Sequence, residues 1–331
     1  MMRCFPYVFC AAILASPPFT AAASPTFITF DPPASASVIN AIVNDGGEIG
    51  GTYEDTNGEQ LVYFRHPNGT IEAFKVSGSS NALLTSINDK IQITGHFDDS
   101  QSEQKCFFHK DRSKKIIGCG PANQVNSTGD GLNNSGAVTG VFFDGTSIRG
   151  FVWDREDGAT PFDAPGAIAT IPFAINDMGV TTGSWADANG SAHSFVRDAA
   201  GSITEFDVPG STSTGAESIN LSGMIAGGYT DSNFQAHSFV RDTNGIISVF
   251  DPKHAVNSRA VSINKKGTVV GDWSDGDDVH GYERSTNGGV KSIDVPGTHN
   301  ETTPNSINNS GQISGTFIDA NGANHGFLRL P

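Results

Sequence analysis

The chain has 331 residues, and 20 Lys and Arg set against 35 Asp and Glu give a formal net charge of −15. That balance excludes nucleic acid as the main partner, because a duplex or strand requires a positive footprint. Only 17% of the residues are charged while the 39 glycines make up about 12% of the chain, which excludes a long charged helix or a disordered acidic tail and favours short strands joined by tight turns.

In chain order, Met1-Met2-Arg3 precedes an apolar run, residues 4–15, of secretory length and too short to span a bilayer. Ala21-Ala22-Ala23 satisfies the small-x-small cleavage rule. Residues 1–23 are therefore read as a signal peptide, and 24–331 as a single secreted domain, extracellular or periplasmic. Tyr7-Val8-Phe9 before Cys10 is a poor lipid-attachment context, so a free protein is expected. No later apolar stretch approaches the roughly 20 residues of a membrane span. The mature chain keeps Cys106 and Cys119, an even count suited to an oxidising compartment.

Self-comparison then decides the architecture. An Asn following an aliphatic residue recurs at Asn44, Asn88, Asn133, Asn176, Asn220, Asn264 and Asn308, with spacings of 44, 45, 43, 44, 44 and 44. A Gly stands seven residues after each, an aromatic nine after and an Asp eleven after. Each unit reads as four short strands. The first ends at the aliphatic-Asn pair and turns at a Gly three residues on, except at Ile91. The second leads into an Asp-x-Asn-Gly turn such as Asp187-Ala188-Asn189-Gly190. The third resembles His193-Ser194-Phe195-Val196-Arg197, and the fourth ends in a Val-Pro-Gly stop such as Val208-Pro209-Gly210.

A fourth-strand segment, residues 27–31, precedes the first Asn, and the last unit stops after its third strand. The orphan strand fits the orphan unit. The expected fold is all-β, a seven-bladed β-propeller of four-stranded blades, closed by pairing of the N-terminal strand with the C-terminal blade. Residues 174–210 and 306–329 show the unit most clearly, and it resembles the HAF-family extracellular repeat of bacterial proteins. The resemblance covers nearly all of residues 24–331 and implies an exported repeat protein without implying a reaction.

A disulfide is expected between Cys106 and Cys119. They take the places of Ser194 and Asp207 of the fourth unit, opposite one another in a hairpin centred on Arg112-Ser113. The recurring His193, His237, His280 and His325 are expected to serve an inter-blade hydrogen-bond pattern, since equivalent positions lie on different blades. No nucleophile-elbow, zinc-protease or phosphate-loop motif is present.

Local function is sought where the repeat breaks. Lys105, Lys110, Arg112, Lys114 and Lys115 load one hairpin with positive charge, which either docks an anionic glycan or surface or is simply solvated. Asp275, Asp277 and Asp278 offer oxygen ligands for Ca²⁺ but lack the later ligands of a complete loop; no other cofactor is expected. His254, His299 and Glu301 lie in the connections between units, which share a face with the Asp-x-Asn-Gly turns, and are the expected ligand-binding residues. Those connections are rich in Ser, Thr, Asn and Gly. The expected function is a monomeric, non-catalytic binding or scaffold propeller for an extracellular glycan or protein. The alternative is a secreted hydrolase or lyase working at the mouth of the channel, which requires non-repeated carboxylates, His or Tyr to converge on the axis.

Overall fold

The computed structural model describes residues 26–79, 81–110, 116–122, 124–297 and 301–331. The signal peptide expected over residues 1–23 lies outside them. The described residues form 28 strands, numbered β1 to β28 in chain order, and no helix. None of them therefore forms a helix long and apolar enough to cross a membrane.

The fourth unit shows how the sequence makes its strands. In β14 (Ala169–Ile175), β15 (Thr181–Ala186), β16 (Ala192–Arg197) and β17 (Ile203–Phe206), β-branched and aromatic residues suit a pleated surface. The four pair antiparallel in order. Asn176 ends the first turn: its side-chain oxygen accepts from the backbone N–H groups of Met178 and Val180. Gly179 supplies φ +75° at the corner. Asp187 does the same at the second turn, accepting from Asn189 and Ser191.

Every unit repeats this order, and the seven innermost strands are β2 (Ser35–Val43), β6 (Asn81–Ile87), β10 (Val125–Leu132), β14, β18 (Ser213–Ile219), β22 (Asn257–Ile263) and β26 (Glu301–Ile307). Each contacts the next, and β26 contacts β2. The four-residue β1 (Phe27–Phe30) pairs antiparallel with β28 (Asn324–Arg329), placing Phe27 opposite Arg329 and Phe30 opposite Gly326.

Strand pairing yields five sheets where seven separate units were expected: three of four strands and two of eight. Single parallel bridges, Ile148 to Ala169 and Val279 to Glu301, fuse the third unit to the fourth and the sixth to the seventh. In these two units the second turn is also one residue shorter, closing Asp144 N–H on Ser147 O and Asp275 N–H on Asp278 O.

The core lies between units. Val62 and Phe64 pack with Leu84, Ile93 and Phe107 of the next unit, and Phe30, Val38, Ala41 and Tyr63 pack with Leu328 of the last. Tyr63, Phe107, Phe151, Phe195, Phe239, Tyr282 and Phe327, one per unit, are fully buried. Arginines of the third strands lie over aromatic rings of the preceding unit, Arg197 4.7 Å from Phe162 and Arg241 4.8 Å from Phe206. Arg65 lies 5.1 Å over Phe30 in the same way, so β1 supplies the fourth-strand aromatic that the last unit lacks.

Cys106 and Cys119 form a disulfide with Cα atoms 5.3 Å apart. Both are buried against Trp153 and Phe151 of the next unit. The bridge closes a loop of separation 13, so its removal in a Cys106→Ala/Cys119→Ala variant is expected to cost about 3 kcal/mol. Denaturant unfolding measures the loss, and two free thiols in the purified protein would refute the pairing.

Candidate functional site

Two surfaces are built by the repeat, one at each end of the strands. On the first, the Asn turns surround a cavity of about 420 Å³ on the axis. Each repeated Asn donates from its side-chain nitrogen to the backbone carbonyl of the next, from Asn44 to Asn88 at 2.9 Å and onward through Asn133, Asn176, Asn220 and Asn264. Asn308 returns to Asn44 at 2.9 Å. The seven side chains are buried and used on one another.

The residues just after them form the rim. Asn134 donates to Asp89 at 2.8 Å and to Asp177 at 3.0 Å, and Asn309 donates to Asp45. Leu221 and Lys265 stand at the two remaining positions of that ring. The rim is thus acidic along one arc and apolar or basic along the other.

Just behind the rim, the innermost strands bulge three residues before the Asn, leaving Asp130 and Glu217 out of the pairing register at equivalent places in the third and fifth units. Burial pushes the Asp130 carboxyl up to about 7, against a hydrogen bond from Thr128. Burial also raises Glu217, with Arg259 acting against it. Sequence reading missed both. The signal was there: most units carry an uncharged residue at that position.

The opposite surface carries the Asp-x-Asn-Gly turns and the connections between units. Here each repeated His sits between two aspartates and on an aromatic ring. His193 Nδ1 lies 2.8 Å from Asp207 and its Nε2 lies 3.8 Å from Asp187, with the imidazole stacked 4.6 Å from Trp185. His237 and His280 repeat the arrangement. For His325 the second carboxylate is Asp31, just past β1, at 2.8 Å. The expected inter-blade role is corrected: the partners lie within one four-stranded unit, because the third and fourth strands pair and bring His and Asp, 14 residues apart, side by side.

His193, His325 and Asp130 set a pH dependence. The Asp207 hydrogen bond raises the His193 pKa, and burial, which acts to lower His325, is outweighed by Asp31 and Asp319. Their stabilising contribution is complete below about pH 6.5, the unfolded value, and is lost as pH rises through the folded value. Asp130 works in the same direction, since its folded carboxyl holds a proton that the unfolded one has released. Stability is therefore expected to fall as pH rises from about 4 through about 7, where Asp130 loses its proton, and to fall further above about 6.5 as the raised histidines lose theirs. Asp130→Asn is expected to recover on the order of 2 kcal/mol at pH 8; an unchanged thermal midpoint at pH 8 would refute this.

The expected site residues are scattered. His254 is exposed and adopts φ +72°, the corner of a turn where other units place Gly78, Gly166, Gly210 and Gly297. Glu301 opens β26, half-buried, and no hydrogen bond joins it to His254. His299 lies outside the described residues. Asp275 accepts hydrogen bonds from the backbone of Asp277 and Asp278, and among the described residues no three His, Cys, Asp or Glu are arranged to hold a metal ion. Lys105 pairs with Glu103 at 2.7 Å; Arg112, Lys114 and Lys115 lie outside the described residues. Phe234, which the sequence reading passed over, is 83% exposed on this face.

No family model matches the chain, and no curated protein matches it. Solved structures do. A streptogramin B lyase superposes with a TM-score of 0.64 at 13% identity, over 93% of this chain and 98% of that one. The β-propeller domain of the Trilobed protease from Pyrococcus furiosus superposes at 0.62 and 11% identity, over 89% and 95%. The BP39L lectin from Burkholderia pseudomallei superposes at 0.55 and 11% identity, over 88% and 96%. At such identities the likeness concerns the fold alone. The chain is an all-β protein of the propeller class.

Proposed function

We propose that this chain is an exported, non-catalytic propeller that binds an extracellular glycan or protein. Residues 1–23 act as its signal peptide and residues 24–331 fold as one monomeric domain of seven blades, closed by β1 on β28, of the HAF-family kind. The single observation that carries a binding role is that the repeated polar side chains are spent on one another. Seven Asn form a hydrogen-bonded ring and four His are each held between carboxylates. Scaffold positions behave in this way, whereas a nucleophile or base is left free to meet a substrate. The disulfide fits an oxidising compartment. No cofactor enters this reading.

The test is retention of the purified secreted chain on immobilised polysaccharides and on extracellular protein extracts, with product release assayed in parallel. Retention without turnover is expected. A second reading, a hydrolase or lyase at the channel mouth, draws on the raised pKa values of Asp130 and Glu217 near the axis. Steady-state product formation abolished by Asp130→Asn would establish that reading in place of binding.

A further inference from the structure

Outside glycine, six described residues adopt the left-handed backbone: Ala34, Ile91, Ser102, Asn126, Phe234 and His254. A side chain there is strained, and more so as it grows bulkier. Four have an evident compensation or little to compensate. Ile91 packs on the core formed by Leu84, Ile87 and Ile93. Asn126 tolerates the conformation and accepts from Gln104 N–H. Ala34 and Ser102 are small. Phe234 has neither excuse, and His254, although its residue type enters this region more readily, has no packing to hold it there: both are bulky and both are exposed.

They also belong to neighbouring loops. Phe234 is the corner of the turn between β19 (Ile225–Thr230) and β20 (Ala236–Arg241), with φ +64° where Gly58, Gly190 and Gly322 stand in other units. His254 is the corner of the connection leading out of the same unit. Ala236 N–H donates to Asn257 Oδ1 at 2.9 Å, and Ser238 and Ser258 hydroxyls meet at 2.7 Å, fastening β20, which follows the first loop, to β22, which follows the second. Val256, itself exposed, lies in the same connection.

We propose that Phe234 and His254 form a sugar-binding platform, a deepening that rests on the binding role above. Strain with no structural return persists where function uses it. An exposed rigid ring offers its face to the C–H side of a pyranose and gives contact area at little entropic cost. The His254 imidazole and the Asn257 amide supply directed hydrogen bonds to hydroxyls. The chain's net charge of −15 disfavours an anionic ligand. One ring and one exposed valine also make a smaller apolar centre than a stable protein interface buries, which points to a neutral glycan.

The test compares the wild-type chain with Phe234→Gly, Phe234→Ser and His254→Gly on an array of neutral oligosaccharides, together with melting curves. Glycine restores the residue that the turn prefers, so both glycine variants are expected to fold and to melt about 2 °C higher, while capture of the retained glycan falls at least tenfold. Phe234→Ser copies the turn of the second unit and is expected to lose capture as well. Glycan retention unchanged in all three variants overturns the platform and leaves a binding role elsewhere on the surface intact. Capture of protein but of no neutral glycan overturns the sugar assignment. A lower melting point in both glycine variants overturns the strain on which the proposal stands. Product release by the wild-type chain overturns the binding role itself.

Discussion

A chain that begins at Ser35 is expected to lose cooperative unfolding as a monomer and to associate through its exposed strand edge. The segment removed is short, yet it holds both ends of the molecule. Its four residues pair with Gly326 to Arg329, and Leu330 N–H donates to Thr26 O at 2.8 Å. Phe30 is buried in a cluster with Tyr63 and Leu328, its ring 6.1 Å from that of Tyr63. Phe27 packs 5.9 Å from Phe327, and Asp31 holds His325 at 2.8 Å. Truncating one such phenylalanine costs about 3–5 kcal/mol, so losing the whole strand removes a large share of the 5–15 kcal/mol that stabilises an ordinary domain. The bared edge of β28 then offers a template to other chains. Light scattering and denaturant unfolding measure both effects. An unchanged midpoint with a monodisperse monomer would show that β1 closes nothing.

The second large effect is expected from a single methyl group. In Gly183→Ala the new Cβ falls 2.2 Å from the backbone oxygen of Ile171 and 2.5 Å from the Cα of Pro172, both main-chain atoms that cannot swing aside. The reason lies in the bulge of the innermost strand, between Pro172 and Ala174, which crowds a carbonyl against the second strand. All seven equivalent glycines meet such a carbonyl, Gly95 and Gly271 at 1.9 Å. A cost on the order of 3 kcal/mol is expected at each, read as a drop in the urea midpoint at unchanged slope. Gly190→Ala is the contrast: its Cβ meets no atom within 4 Å, so only its φ of +83° resists, and a loss of about 1 kcal/mol is expected. Equal losses at Gly183 and Gly190 would refute the clash.

Most of the scaffold was legible because it is local and repeated. The Asn and Asp turn residues bond their own backbone within four positions, so their chemistry can be read without knowing what lies across the sheet. The opposition of Cys106 and Cys119 followed from counting along one hairpin. The histidines were misassigned because their recurrence in several units was read as a link between units, although the same count along the hairpin places Asp207 opposite His193. Phe234 left a trace in the sequence, Asp231-Ser232-Asn233-Phe234 where the fourth unit has Asp187-Ala188-Asn189-Gly190. What that trace lacked was the exposure that makes the strained phenylalanine costly.

The sequence by itself determined the all-β class, the period near 44 and the turn residues, because each depends on interactions a few residues long and is confirmed by repetition along the chain, and it determined the disulfide pair because both cysteines lie on one hairpin. Only the tertiary structure decided why the seventh residue after each Asn must be glycine, that the Asn side chains form one hydrogen-bonded ring, and that parallel bridges at Ala169 and Glu301 fuse neighbouring units. It also decided that Asp130 sits where desolvation raises its carboxyl to about 7. These depend on atoms brought together from separate units, and on the loss of water between them, neither of which is encoded in any single stretch of chain.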